Sequence, residues 1–66
     1  MIILLIDKNN STSWREVKAV EVTEHYLTFL DDGHFFTRQY EDIRYAELLL
    51  PNGGKAVLYR DETGGK

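Results

Sequence analysis

The chain opens on an apolar run, Ile2-Ile3-Leu4-Leu5-Ile6, that stops at Asp7-Lys8. A strand with one wet face alternates apolar and polar side chains, so an uninterrupted apolar strand predicts cover on both of its faces. Lys8 to Ser13 is polar and rich in Asn and Ser, whose side chains bond nearby backbone, and it predicts a loop. Trp14 to Glu24 predicts a second strand, with Val17 and Ala19 in one phase and Val20 and Val22 in the other. A β-bulge near Ala19-Val20 would insert one residue and swap the faces. A short helix capped by Ser13 and Glu16 is the rival reading, but β-branched Val17, Val20, Val22 and Thr23 favour the strand.

Tyr26 to Leu30 predicts a third strand. Asp31-Asp32-Gly33 predicts a three-residue hairpin loop with Gly33 at the left-handed position. A fourth strand follows from His34 to Tyr40, then a bend at Glu41-Asp42, and a fifth strand from Tyr45 to Leu50. Pro51-Asn52-Gly53-Gly54 carries turn chemistry again, and Lys55 to Arg60 is the sixth strand. Asp61 to Lys66 is polar and Gly-rich and predicts a frayed tail behind a single domain over 1–60. The fold class expected is mainly β, a small antiparallel five- to six-stranded barrel or sandwich, with an SH3-like barrel first in line.

Size adds a constraint. A chain of 66 residues buries only about 60% of its unfolded surface, and domains this small usually add disulfides, a metal or a partner subunit. The sequence holds no cysteine, which removes disulfides and thiolate metal sites and leaves self-association as the expected supplement. A net charge of −3 argues against a surface devoted to neutralising phosphates. The opening apolar run has no basic segment before it and falls far short of the roughly 20 residues of a membrane span, so a cytoplasmic protein is expected.

Candidate chemistry is sparse. His25 and His34 are the only histidines, and His34 after Asp31-Asp32-Gly33 suggests a metal site only weakly, because the aspartates already serve the turn and the paired ligand spacing of zinc sites is missing. Ser11, Thr12 and Ser13 lack the base that would activate a nucleophile. Gly53-Gly54-Lys55 lacks the longer loop of a phosphate cradle. No catalytic residue, metal or cofactor is expected.

The fourth strand sets Phe36, Arg38 and Tyr40 on one face and Phe35, Thr37 and Gln39 on the other. Turned outward, Phe36, Arg38 and Tyr40 with Arg44 and Lys55 would form a stacking platform for single-stranded nucleic acid. The preferred reading makes one face core and the other a protein interface, because Glu41, Asp42 and Glu47 would repel phosphates. Trp14 reads first as a barrel plug and, if exposed, as an interface anchor.

The leading expectation is a non-enzymatic protein-interaction module, a homo-oligomeric accessory or inhibitor protein, with Ile3, Leu5, Trp14, Phe36, Arg38 and Tyr40 at its interface. A nucleic-acid-binding barrel is the alternative. A further alternative is an acidic nucleic-acid mimic built from Glu21, Glu24, Asp31, Asp32, Glu41, Asp42 and Glu47.

Overall fold

A computed structural model describes residues 1–61. The chain is mainly β, with seven strands and one short 3-10 turn: β1 (Ile2–Asp7), β2 (Thr12–Glu16), β3 (Ala19–Val22), β4 (Tyr26–Asp31), β5 (His34–Gln39), the 3-10 turn Tyr40–Asp42, β6 (Ile43–Leu49) and β7 (Lys55–Arg60). They form two antiparallel sheets, one in the order β2-β1-β6-β7 and one in the order β3-β4-β5. Among the described residues no ladder joins the two sheets into a closed barrel.

The segment expected as one bulged strand is two strands in different sheets. β2 pairs with β1, and β3 pairs with β4. The change occurs at Val17-Lys18, where the Val17 N–H donates to Met1 O (2.8 Å) and the next N–H, of Lys18, donates to Leu30 O (2.9 Å). Backbone bonding therefore continues while the chain leaves one sheet and enters the other. Val17, at the corner, drops into the core with 2% of its surface exposed. That crossing produces the phase slip that the sequence pattern records; the helical alternative does not form.

The hairpin between β4 and β5 is also tighter than expected. Asp31 pairs directly with His34, which leaves only Asp32 and Gly33 in the loop. Both have positive φ, 52° and 79°, the signature of a type I′ turn, whose twist matches that of the flanking strands.

The inner faces of the two sheets enclose one core: Ile3, Leu5, Ile43, Ala46 and Leu48 from the larger sheet, Leu27 and Phe29 from the smaller, and Val17 from the connection between β2 and β3. Phe36 stacks on Phe29 with ring centroids 5.5 Å apart. At another edge of the core, Tyr40 stacks on Tyr59 at 4.5 Å and donates its hydroxyl to Thr23 O at 2.8 Å, tying β7 to the turn between β3 and β4.

Asp61 is anchored rather than free. Its N–H donates to Arg44 O (2.8 Å) and its carboxylate accepts from Lys8 Nζ (2.6 Å). The remainder of the expected tail, 62–66, lies outside the described residues. Among those described, no helix is long and apolar enough to cross a membrane.

Candidate functional site: the outer face of the larger sheet

The apolar first strand divides its side chains between two surroundings. Ile3 and Leu5 point inward and are almost fully buried, at 0% and 7%, so they belong to this chain's own core and are not available as interface anchors. Ile2, Leu4 and Ile6 point to the opposite, outer face.

Strand register sets what surrounds them. One cross-strand row reads Trp14–Leu4–Glu47–Val57, a second Glu16–Ile2–Leu49–Lys55, and a third Thr12–Ile6–Tyr45–Arg60. Aliphatic and aromatic side chains dominate the middle of all three, and charges stand mainly at the edges. Trp14 is 67% exposed, which overturns the plug reading: it lies on β2 at the sheet edge, flat against no core. Ile2 and Val57 are exposed as well. Trp14, Ile2 and Val57 thus leave apolar surface exposed on this face.

One carboxylate sits in the middle of this surface. Glu47 is 8% exposed, enclosed by neighbours along its strand and across to β1 and β7. Its Oε1 accepts the Tyr45 hydroxyl at 2.5 Å, and Lys55 Nζ lies 3.8 Å away. The bond to Glu47 is the largest cause that holds the Tyr45 hydroxyl above its usual pKa, with burial and the negative charge of Glu47 acting in the same direction.

The other expected site residues do not share a face. Phe36 and Arg38 lie on the inner side of β5, opposite Phe29 and Leu27 in the ladder, and Tyr40 is stacked on Tyr59. Arg44 is half-buried, with its Nε lacking a hydrogen-bond partner. Lys55 stands on the outer face of the larger sheet. The five residues expected to form a nucleic-acid platform are thus spread over inner and outer surfaces. What β5 turns outward is Phe35, 73% exposed, beside Thr37 and Gln39.

The acidic residues form no single track either. Glu47 lies on the outer face of the larger sheet and Glu21 in the smaller one, while Asp31 holds Arg15 at 2.9 Å. Glu24 and Glu41 line an open depression of about 340 Å³ with His25. Among the described residues no group of three His, Cys, Asp or Glu side chains is placed to hold a metal ion.

No family model, curated protein or solved structure matches this chain. Its class is defined by the fold alone, a small mainly-β module of two antiparallel sheets.

Proposed function

We propose that this chain is a non-enzymatic protein-interaction module that pairs with a second copy of itself through the outer face of the β2-β1-β6-β7 sheet. The observation that carries this reading is the Trp14–Leu4–Glu47–Val57 row with its neighbours Ile2, Ile6, Tyr45 and Leu49, an apolar face left uncovered by the chain's own core.

Charge complementarity supports a second copy as the occupant. A two-fold axis running along the strands between two such faces lays β2 of one copy over β7 of the other and keeps each row at its own level. Glu16, at one end of its row, then meets the second copy's Lys55, at the other end of the same row, and the contact occurs twice. Both side chains are exposed, Glu16 at 76% and Lys55 at 61%. The same operation sets Trp14 over the second copy's Val57. Such isologous pairing is the commonest oligomeric arrangement, and a large aromatic at its edge is a typical anchor.

The finer fold reading that accompanies this proposal is an open SH3-like barrel. Its support is the continuous crossing of residues 12–22 between the sheets and the return of β6 to pair with β1.

Sedimentation velocity across a micromolar concentration series tests the pairing. A concentration-dependent dimer, with Trp14 emission shifting to shorter wavelength as it forms, is the expected result. A species that stays monomeric throughout the series overturns the reading.

A further inference from the structure

A second feature lies away from the outer face, where the edge of the smaller sheet approaches the larger one. A cleft of about 330 Å³ opens there between β5, β1 and the loop into β2. Leu5 and Ile43, both buried, form its apolar floor, and Ser11 and Ser13 supply hydroxyls on one wall.

Two arginines approach the aromatic pair beside this cleft, and they are treated differently. Arg15 lies 4.7 Å from the Phe36 ring centroid and is neutralised by Asp31 at 2.9 Å. Arg38 lies 5.8 Å from the Phe29 centroid and bonds only the carbonyl of Thr37, at 3.0 Å. No carboxylate lies within ion-pair distance of Arg38 among the described residues. A guanidinium carries five N–H donors in a planar fork suited to a carboxylate, so most of the recognition capacity of Arg38 is unspent at the cleft.

The opposite charge is present in the same cleft and is also unspent. Asp42 lines it, and its carboxylate has no hydrogen-bond or ion-pair partner among the described residues. Asp7 is another lining carboxylate, but its Oδ1 accepts the N–H groups of Asn9 and Ser11, each at 2.9 Å, and so shapes the loop. Arg38 and Asp42 therefore face one small cavity without neutralising each other. A simple anion would meet the two aspartates, and a simple cation would meet Arg38. A ligand carrying both signs matches both ends.

We propose that this cleft binds a small zwitterion of the amino-acid class, its carboxylate on the Arg38 guanidinium, its ammonium on Asp42 and its backbone over Leu5 and Ile43. The serine hydroxyls supply further hydrogen bonds to the carboxylate. Because the lining side chains lie off the outer face of the larger sheet, this site stands independently of self-association.

The test uses glycine, β-alanine and 4-aminobutanoate as probes, whose two charges are separated by increasing lengths, with acetate and methylammonium as single-charge controls. Amide shifts of Ser11 and Ser13 and the Arg38 Nε–H signal follow each titration. One zwitterion is expected to saturate these signals about tenfold more tightly than either control. Arg38→Lys, which keeps the charge and loses the fork, and Asp42→Asn should each remove that preference while the rest of the amide spectrum is unchanged. If no zwitterion saturates the signals, or if acetate matches the best of them, the proposal is wrong. The wild-type comparison decides this even if a variant folds poorly.

Discussion

The Tyr45 hydroxyl donates to Glu47 Oε1 at 2.5 Å across one pleat of β6, on the outer face of the larger sheet where Glu47 stands between Leu4 and Val57. A carboxylate there is tolerable only while hydrogen-bonded, because an unpaired buried polar group carries its full desolvation cost. Tyr45→Phe keeps the ring and removes the donor. It should lower the midpoint of urea denaturation. No measurable change would mean that water replaces the hydroxyl and that the face is wetter than its geometry implies.

Replacing Glu47 itself should have the opposite sign. Exchanging a buried ionic group for a well-packed apolar side chain is often neutral or stabilising, and Leu at this position would join Leu4, Leu49 and Val57. Glu47→Leu is therefore expected to raise dimer affinity in sedimentation without loss of folding stability. Weakened association would show that the carboxylate contributes to pairing directly.

The edges of the face supply a sharper check on the two-fold arrangement. Glu16→Lys alone puts a lysine opposite the second copy's Lys55, at both symmetry-related positions, and should weaken the dimer. Adding Lys55→Glu restores opposite charges in reversed order, and association should recover toward wild type at low salt. Because exposed ion pairs are screened by salt, the difference between the single and double variants should shrink as ionic strength rises. A double variant no better than the single one rules out this axis.

These relationships were partly legible in the residues. The apolar run Ile2 to Ile6 does announce cover on both faces, and the alternation of Tyr45, Glu47 and Leu49 carries the period of a strand face. What the run cannot reveal is which alternate set points inward, since Ile3 and Ile2 are chemically identical; only the pairing of β1 between β2 and β6 decides it. The same ambiguity put Phe36 and Arg38 outward in one reading, although the ladder places them against Phe29 and Leu27. Trp14 departs from the plug reading for a related reason: a lone Trp usually fills a core, but here the inward positions of β2 fall to Ser13 and Arg15, opposite Leu5 and Ile3. The crossing at Val17-Lys18 left its trace as a phase slip, and a slip alone does not separate a bulge from a change of sheet. The Arg38–Asp42 cleft joins residues from β5 and the 3-10 turn to Ser11 of the loop before β2 and Ser13 of β2 itself, far earlier in the chain, and no local pattern signals that meeting.

The β4–β5 hairpin yields a prediction about backbone alone. A Cβ at Gly33 would meet no atom within 4 Å, so a substitution there encounters no clash, only the left-handed conformation at φ 79°. Gly33→Ala should therefore destabilise by about 1–2 kcal/mol, seen as a lower urea midpoint. Gly33→Asn should lose less, because Asn tolerates that region better than Ala. Equal losses would show that the turn changes type when Gly33 is replaced.

Alkaline pH should expose the two perturbed tyrosines together. Burial, then the neighbouring Tyr59, raises the pKa of Tyr40 above its ordinary value of 10.0, and the bond to Glu47 leads the causes that raise Tyr45. In the unfolded chain both titrate near 10. Above that pH the folded protein retains protons that the unfolded chain has lost, so stability falls as pH rises. The contribution is fully present below about pH 10 and declines until the folded hydroxyls ionise in turn. Urea midpoints measured from pH 8 upward should stay level at first and then drop from about pH 10. The double variant Tyr40→Phe, Tyr45→Phe starts from lower stability, having lost the bonds to Thr23 O and Glu47, but its decline above pH 10 should be shallower than that of wild type. An equally steep decline in the variant would assign the alkaline loss to other groups and remove Tyr40 and Tyr45 from the account.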